Sequence, residues 1–230
     1  MDKLVNHDLL KEFSKQFMFE IYLKPEQEME MRTILSFLQH KQIPLSYPDF
    51  IETNFMAMNY RTKFTCSMGF SLISEDWINP LARYMKKNLI KEMPLTLEIM
   101  AGGGSLTKAL MDKGLTVRAT DNDTWVWKWS KWTVVEKLNA LDAIRKYISE
   151  CSYLLCSWAY MDDDLYNALI LMRKLNPQCK LIYIGESFGG CTASAKFFDT
   201  IEDVSDARFL QSVSRYKRWC GLHDRVRIGK

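Results

Sequence analysis

The sequence predicts an α/β protein with a doubly wound, mostly parallel sheet and an N-terminal helical extension. After Pro94, short apolar runs alternate with amphipathic helical stretches, which is the pattern of a parallel sheet covered by helices. Residues 1–90 show helical spacing of apolar residues instead. Three consecutive glycines follow the first predicted strand. We therefore expect a helical extension or cap over residues 1–90 and an α/β core over residues 91–230.

The helices of the extension are predicted from apolar spacing and from residues that begin helices. The first helix carries one apolar stripe, formed by Leu9, Leu10, Phe13, Phe17 and Ile21. Pro25 suits the first turn of a second helix, Pro48 is placed to open a third, and Ser74 is expected to cap a fourth.

The core is predicted from four apolar runs of strand length, at residues 96–100, 116–120, 153–157 and 180–184. Gly114 is expected to end the helix before the second strand. A second helix carries Leu165, Ala168, Leu169, Met172 and Leu175 on one face. Residues 225–228 predict a last strand at the edge of the sheet.

Composition limits the class of protein. The chain has 230 residues, of which 47% are hydrophobic and 26% charged, enough for a substantial core. Its six cysteines form no C-x-x-C pair, which favours free thiols in a cytoplasmic protein over disulfides or a metal site. No apolar run approaches the roughly 18 residues of a membrane span, and no signal-peptide pattern begins the chain. We expect a cytoplasmic protein without a metal or a membrane partner.

Positive charge is concentrated near the C-terminus, although the formal net charge is only +3. One acid, Asp224, accompanies seven basic residues: Arg208, Arg215, Lys217, Arg218, Arg225, Arg227 and Lys230. This segment suits either an acidic partner such as nucleic acid or a solvated edge of the sheet.

The three glycines at 102–104 predict a ligand site. Ligands of open α/β sheets bind outside the carboxyl ends of the strands, and glycines let a ligand approach the backbone at a helix N-terminus. Thr107 replaces the third glycine of the dinucleotide fingerprint. Asp121 ends the second strand, seventeen residues after Gly104, where its carboxylate can accept hydrogen bonds from a ribose diol. The pattern predicts a nucleotide-like cofactor.

The segment LEIMAGGGSLTKAL…GLTVRATDND resembles the class I S-adenosylmethionine-dependent methyltransferases, over about residues 70–230. The resemblance implies a Rossmann-like core that binds S-adenosyl-L-methionine. It implies that Glu98 serves the amino end of the methionine and that Asp121 binds the ribose. The cofactor-binding residues that it implies are Glu98, Met100, Ala101, Gly102, Gly104, Asp121, Asn122, Asp142 and Ser157.

A second motif, LLCSWAYMDDD, follows the next strand. Ser157, Trp158 and Tyr160 stand where methyltransferases that act on amino groups carry an [Asn/Asp/Ser]-Pro-Pro-aromatic motif, although both prolines are absent. The stretch also resembles a little-characterised subgroup with SWPPY here and IGE…GGCTA after the fifth strand, where this chain has YIGESFGGCTASAKFF. The resemblance makes these three residues the catalytic candidates, and packing at a strand end is the alternative.

Three further groups have a functional and a structural interpretation. Trp125, Trp129 and Trp132 lie at helical spacing, either around adenine or a substrate ring or in the core. Asp162, Asp163 and Asp164 either bind a substrate cation or act as a base, or favour a helix N-terminus. Glu186, Gly189, Gly190 and Cys191 form either a wall of the substrate site or a structural loop. With no histidine near Cys191 in sequence, covalent catalysis is not expected.

The predicted function is methyl transfer to an unidentified acceptor, which is a small molecule, a protein or a nucleic acid. Two alternatives remain open at this point. An NAD-dependent oxidoreductase shares the glycine loop and the acid at the strand end. A non-catalytic cofactor-binding or scaffolding module would retain the fold without turnover.

Overall fold

The computed structural model describes residues 22–124 and 130–230. Its strands form one sheet in the order β3-β2-β1-β4-β5-β6, and neighbours are parallel except for the antiparallel pair β5 and β6. The strands are β1 (Leu95–Ile99), β2 (Thr116–Asp121), β3 (Val135–Lys137), β4 (Cys151–Ser157), β5 (Lys180–Gly185) and β6 (Arg225–Gly229). The predicted doubly wound, mostly parallel sheet is confirmed. The short edge strand β3 was not predicted.

Helices precede the sheet and connect its strands. They are α1 (Pro25–Gln39), α2 (Phe50–Thr53), α3 (Arg61–Met68), α4 (Glu75–Lys87), α5 (Ser105–Asp112), α6 (Ala140–Tyr147), α7 (Asp164–Leu175), α8 (Ala195–Thr200) and α9 (Ala207–Ser212). Short 3-10 helices span Phe55–Tyr60 and Ile148–Glu150. None of these described helices is long and apolar enough to span a membrane.

The predicted helix boundaries hold where a local signal exists. Pro25 occupies the first turn of α1, and Ser74 is the N-cap residue of α4. Gly114 follows the end of α5 with a φ of +76°, a conformation that favours glycine. Helix α2 begins at Phe50, two residues after Pro48. The apolar stripe from Leu9 to Ile21 lies outside the described residues.

Side chains alternate along the buried strands and fill two cores, one on each face of the sheet. In β4, Tyr153 and Leu155 pack with helices α1, α3, α4 and α5, whereas Leu154 and Cys156 pack with α6, α7 and α8. In β1, Leu97 and Ile99 belong to the second core, so Glu98 between them faces the side of α5. The N-terminal helices and one sheet face therefore share a continuous core.

The chain order of the strands reverses between β1 and β4. From β1 the chain continues outward through β2 and β3, and then returns to β4 on the other side. The loops that follow β1 and β4 consequently separate, which leaves a crevice at the carboxyl ends of these strands. This crevice is the position of the candidate site.

Candidate ligand-binding site

A cavity of about 430 Å³ opens at the carboxyl ends of β1, β2 and β4. Residues 100–103 line it after β1, Asp121 and Asn122 after β2, and residues 157–161 after β4. Residues 68–71, between α3 and α4, contribute the opposite side. This volume lies within the range of small-molecule sites, which is roughly 300–1,000 Å³.

The loop after β1 adopts backbone conformations that need glycine. Gly102 and Gly104 have φ values of +55° and +74°. A Cβ on Gly104 would lie 2.8 Å from Cγ2 of Thr133 and 3.0 Å from Cγ2 of Val135. Gly104 is also the N-cap residue of α5, so the loop delivers the free N–H groups of this helix to the crevice. The turn therefore favours glycine at 102 and 104, and close packing excludes a side chain at Gly104.

Asp121 joins this loop to the end of β2. Its Oδ2 accepts a hydrogen bond of 2.8 Å from the backbone N–H of Gly102, and its Oδ1 accepts one of 2.7 Å from the backbone N–H of Asp123. The carboxylate lines the cavity. Because each carboxylate oxygen accepts more than one hydrogen bond, Asp121 retains acceptor capacity toward a ligand.

Glu98 is a buried carboxyl group at the floor of the cavity, with 2% of its surface exposed. Its Oε2 accepts hydrogen bonds from the backbone N–H of Thr107, at 3.0 Å, and from the Thr107 hydroxyl. Burial raises the pKa of Glu98 to about 7, against the opposing effect of the Thr107 hydrogen bonds. A ligand cation at this position would favour the ionised carboxylate. Thr107, at the third position of the fingerprint, thus anchors Glu98, a role that the sequence did not reveal.

Asp142 lies near the N-terminus of α6, half-exposed to solvent. Its carboxylate forms an ion pair of 2.7 Å with Arg145 and accepts a hydrogen bond from the side chain of Asn139. The adjoining wall of the cavity consists of Leu138, Asn139 and Ala140.

Trp158 stands at the strand end opposite the glycine loop, with a φ of +56°. Its indole stacks on Phe70 with ring centroids 5.3 Å apart and an interplanar angle of 23°. Both rings line the cavity, as does Tyr160, whose side chain is exposed. A bulky residue in the left-handed region is strained, and such strain concentrates at functional sites.

Several polar side chains lie behind this aromatic wall. The hydroxyls of Ser157 and Ser71 lie 2.6 Å apart, which joins β4 to the segment before α4. Tyr216 donates a hydrogen bond to the buried carboxylate of Asp224, and burial raises the pKa of Asp224. Asp224 Oδ1 and Trp158 Nε1 are both buried, and the indole N–H of Trp158 lies close enough to Asp224 to act against this rise in pKa. The contact between Ser157 and Ser71 was not predicted, because 86 positions separate the two residues in sequence.

The acidic run after β4 divides into different environments. Asp163 is the N-cap residue of α7 and forms an ion pair of 2.5 Å with Lys196. Asp162 accepts a hydrogen bond of 3.0 Å from the backbone N–H of Asp164. Asp164 lines the cavity, and burial raises its pKa. Of these three residues, only Asp164 lines the cavity.

The loop after β5 is held by its own hydrogen bonds. Glu186 accepts hydrogen bonds of 2.8 Å from the backbone N–H of Cys191 and 3.1 Å from that of His223. A Cβ on Gly190 would approach Cβ of Glu186 to 2.4 Å. Cys191 lines the cavity, and burial raises the pKa of its thiol to about 11, which leaves it protonated and weakly nucleophilic.

Trp132 is a core residue, with 5% of its surface exposed. Its indole N–H donates a hydrogen bond of 2.6 Å to the carbonyl of Ser67, and its backbone N–H donates one of 2.8 Å to the carbonyl of Gly103. Trp132 thus braces α3 against the glycine loop. Trp125 and Trp129 lie outside the described residues.

Several basic residues of the C-terminal segment are engaged in ion pairs with acids elsewhere in the fold. Lys217 pairs with Asp49 and Glu52, Arg218 with Glu52, and Arg227 with Asp203. Part of the positive charge in the sequence is therefore neutralised locally.

Comparison with solved structures finds distant similarities. Magnesium protoporphyrin IX methyltransferase from Synechocystis PCC 6803, with bound SAM, is 9% identical, with a TM-score of 0.39 over 90% of this chain and 97% of that chain. An N,N-8-amino-8-demethyl-D-riboflavin dimethyltransferase from Streptomyces davawensis is 12% identical, with a TM-score of 0.42 over 91% and 71% of the two chains. The 1,6-didemethyltoxoflavin-N1-methyltransferase from Burkholderia thailandensis, with bound S-adenosylhomocysteine, is 16% identical, with a TM-score of 0.40 over 81% and 92%.

No protein-family model matches the chain, and no curated protein is similar to it in sequence. All three structural neighbours are methyltransferases by name, as is the family that the sequence resembles. At such identities and scores, the similarities assign neither a ligand nor a reaction to this chain.

Proposed function

We propose that this protein is an S-adenosylmethionine-dependent methyltransferase that methylates an acceptor bound in the cavity. The observation that carries the proposal is the combination of two walls in one cavity. One wall is a glycine loop between two carboxyl groups, Glu98 and Asp121, and the other is the aromatic wall formed by Phe70, Trp158 and Tyr160. The first suits a nucleoside with an amino-acid tail, and the second suits a flat acceptor.

On this proposal, each polar group of the first wall has a partner in the cofactor. Asp121 accepts hydrogen bonds from the ribose hydroxyls, and Glu98 stabilises the ammonium group of the methionine. The glycine loop lets the methionine pass close to the backbone. The full set of proposed cofactor-binding residues is Glu98, Met100, Ala101, Gly102, Gly104, Asp121, Asn122, Asp142 and Ser157.

The aromatic wall orients the acceptor. The cofactor supplies a methyl group that its sulfonium already activates, so the chain mainly has to orient a nucleophile and exclude water. Trp158 and Tyr160 hold the acceptor against the rings, and the paired hydroxyls of Ser157 and Ser71 offer a hydrogen bond to it. Ser157, Trp158 and Tyr160 are the proposed catalytic residues, since they touch the reacting molecules.

Calorimetric titration tests the cofactor half of this proposal. S-adenosylhomocysteine is expected to bind the full chain, whereas NAD is expected not to bind. The Asp121→Ala variant serves as the control for binding at the proposed site. Binding of NAD without S-adenosylhomocysteine would identify the oxidoreductase alternative and contradict the proposal.

Transfer of a labelled methyl group tests the reaction. The protein is incubated with labelled S-adenosylmethionine and cell lysate, and small molecules, proteins and nucleic acids are then separated and counted. Label is expected in the small-molecule fraction, with loss of signal in Trp158→Ala. Cofactor binding without transfer to any fraction would indicate the non-catalytic module instead.

A further inference from the structure

Arg61, the first residue of α3, is a cation that lacks an anionic partner in the described chain. Its guanidinium carbon lies 5.6 Å from the ring centroid of Phe70 and 5.4 Å from that of Trp158. Its Nε is buried and has no hydrogen-bond partner. Within residues 22–124 and 130–230, its side chain forms neither an ion pair nor a hydrogen bond.

The Nε–H of Arg61 needs a hydrogen-bond acceptor that the described residues do not supply. The guanidinium has five N–H donors, and the buried Nε–H among them has no acceptor, which is costly for a buried polar group. The two aromatic rings stabilise the positive charge, but they replace few of its hydrogen bonds. The side chain lines the cavity, so a ligand in the cavity can supply the missing acceptor.

The other charged residues of the cavity limit the charge that this ligand can carry. Among the described residues that line the cavity, Arg61 has the only positively charged side chain, and the acidic residues are Glu98, Asp121 and Asp164. Asp121 and Glu98 face the proposed cofactor, which leaves Arg61 as the electrostatic anchor of the acceptor side. A singly charged carboxylate suits one arginine among three acids better than a doubly charged phosphate does.

We propose that the methyl acceptor is a planar aromatic carboxylate. Its carboxylate binds the guanidinium of Arg61, and its ring packs on the wall formed by Phe70 and Trp158. This substrate class rests on the proposed methyltransferase function and makes it specific. A guanidinium that stacks on the same aromatic wall binds charge and ring together, so neither a neutral ring nor an aliphatic acid meets both requirements.

Two probes of the same shape test the proposal. The full chain, loaded with S-adenosylhomocysteine, is titrated with 2-naphthoate and with the neutral 2-naphthamide, and affinity is measured by calorimetry. Wild type is expected to bind naphthoate about 10- to 100-fold more tightly, the range for a charge-assisted hydrogen bond or pair of such bonds. Arg61→Met should abolish this preference, and Arg61→Lys should retain part of it. Arg83→Met, at an exposed position of α4 outside the cavity, should leave it unchanged.

Equal affinity for the two probes in wild type, or binding of neither probe, would overturn the proposal. A preference that survives in Arg61→Met would overturn it as well. The wild-type comparison decides the matter even if Arg61→Met fails to fold, a condition that circular dichroism detects.

The cofactor is titrated separately into each variant. If S-adenosylhomocysteine does not bind wild type, the proposed function fails, whereas the two probes still test Arg61 in the cofactor-free protein. The two failures are thereby distinguished.

Discussion

The two walls of the cavity are built in different ways. The wall of the glycine loop comes from consecutive elements, β1, α5 and β2, and is held by hydrogen bonds such as that from Gly102 to Asp121. The aromatic wall is assembled from the segment before α4 and the residues that follow β4, with Arg61 of α3 beside it, and is held by ring stacking. The first wall is polar and is formed by residues that are close in sequence. The second wall is aromatic and is formed by residues that are far apart in sequence.

This difference has a functional meaning. Hydrogen bonds to backbone groups are directional, so the glycine loop suits one invariant ligand. Ring packing is less directional and accommodates related shapes. Under the proposed function, the glycine loop is the fixed cofactor site and the aromatic wall is the adaptable acceptor site, and a group-transfer enzyme needs both.

Removal of the Asp121 carboxylate should weaken cofactor binding at the glycine loop. Asp121→Ala loses the proposed hydrogen bonds to the ribose and also releases the N–H of Gly102. We expect a loss of about 2 to 4 kcal/mol in the binding of S-adenosylhomocysteine, or roughly 30- to 1,000-fold in affinity. Asp123→Ala is the matched control, since this carboxylate pairs with Lys131 instead. A larger loss in Asp123→Ala than in Asp121→Ala, measured calorimetrically, would show that the ribose site is assigned wrongly.

A methyl group on Gly104 should damage the same wall sterically. Gly104→Ala places a Cβ in contact with Thr133 and Val135, whereas Gly189 has a similar positive φ of +85° with open space around it. Both alanine variants bear the strain of a left-handed conformation, about 1 kcal/mol. Overpacking should cost Gly104→Ala about 1 to 3 kcal/mol more in the free energy of unfolding, measured in urea. Equal destabilisation of the two variants would contradict the close packing of this loop.

The aromatic wall should affect turnover rather than cofactor binding. Trp158→Ala removes the ring that stacks on Phe70, and Tyr160→Ala removes the neighbouring ring of the cavity. We expect turnover to fall by about 10- to 100-fold, since acceptor alignment contributes several kcal/mol to such reactions. Affinity for S-adenosylhomocysteine should change less than threefold. Parallel losses of affinity and turnover would place these residues in the cofactor site instead.

The buried carboxyl group of Glu98 should make cofactor binding depend on pH. With a pKa of about 7, this carboxyl is largely protonated below neutral pH in the free protein. A bound ammonium group favours the ionised form, so binding releases a proton below pH 7. Affinity should therefore fall as pH falls from 7 toward 5, by up to about tenfold per pH unit. Glu98→Gln should remove this slope, and a slope that persists in the variant would assign it to another group.

The same shift has a consequence for stability. Because the folded-state pKa is raised above the usual 4.5, the folded chain holds this proton more tightly than the unfolded chain does. The contribution of Glu98 to stability is therefore fully present below about pH 4.5 and is lost as pH rises through about 7. Denaturant unfolding of wild type and Glu98→Gln across this range measures the difference.

The smallest effect is expected at Asp142. Its carboxylate already forms a half-exposed ion pair with Arg145, and exposed pairs of this kind contribute little. Asp142→Ala should reduce affinity for S-adenosylhomocysteine by less than about threefold. A loss comparable to that of Asp121→Ala would show that Asp142 contributes to cofactor binding as strongly as Asp121 does.

The sheet and the wall formed by the glycine loop follow from local patterns in the sequence. The alternation of strand and helix patterns, the glycines at 102–104 and the acid at the end of β2 are all local signals. Each of them depends on the conformation of a few neighbouring residues, which is why Asp121 was located correctly at a strand end. The short strand β3 carries too few residues for such a signal, and it forms because β2 offers a free edge.

The aromatic wall, in contrast, depends on tertiary packing. Arg61, Phe70 and Trp158 have no shared spacing, and the hydroxyls of Ser71 and Ser157 meet across 86 residues. The hydrogen bond from Thr107 to Glu98 likewise depends on tertiary packing, because α5 lies beside β1 and places Thr107 next to the carboxyl group. Local patterns specify backbone conformation, whereas contacts between distant segments depend on how whole elements pack. The aromatic wall of this cavity consists almost entirely of such contacts.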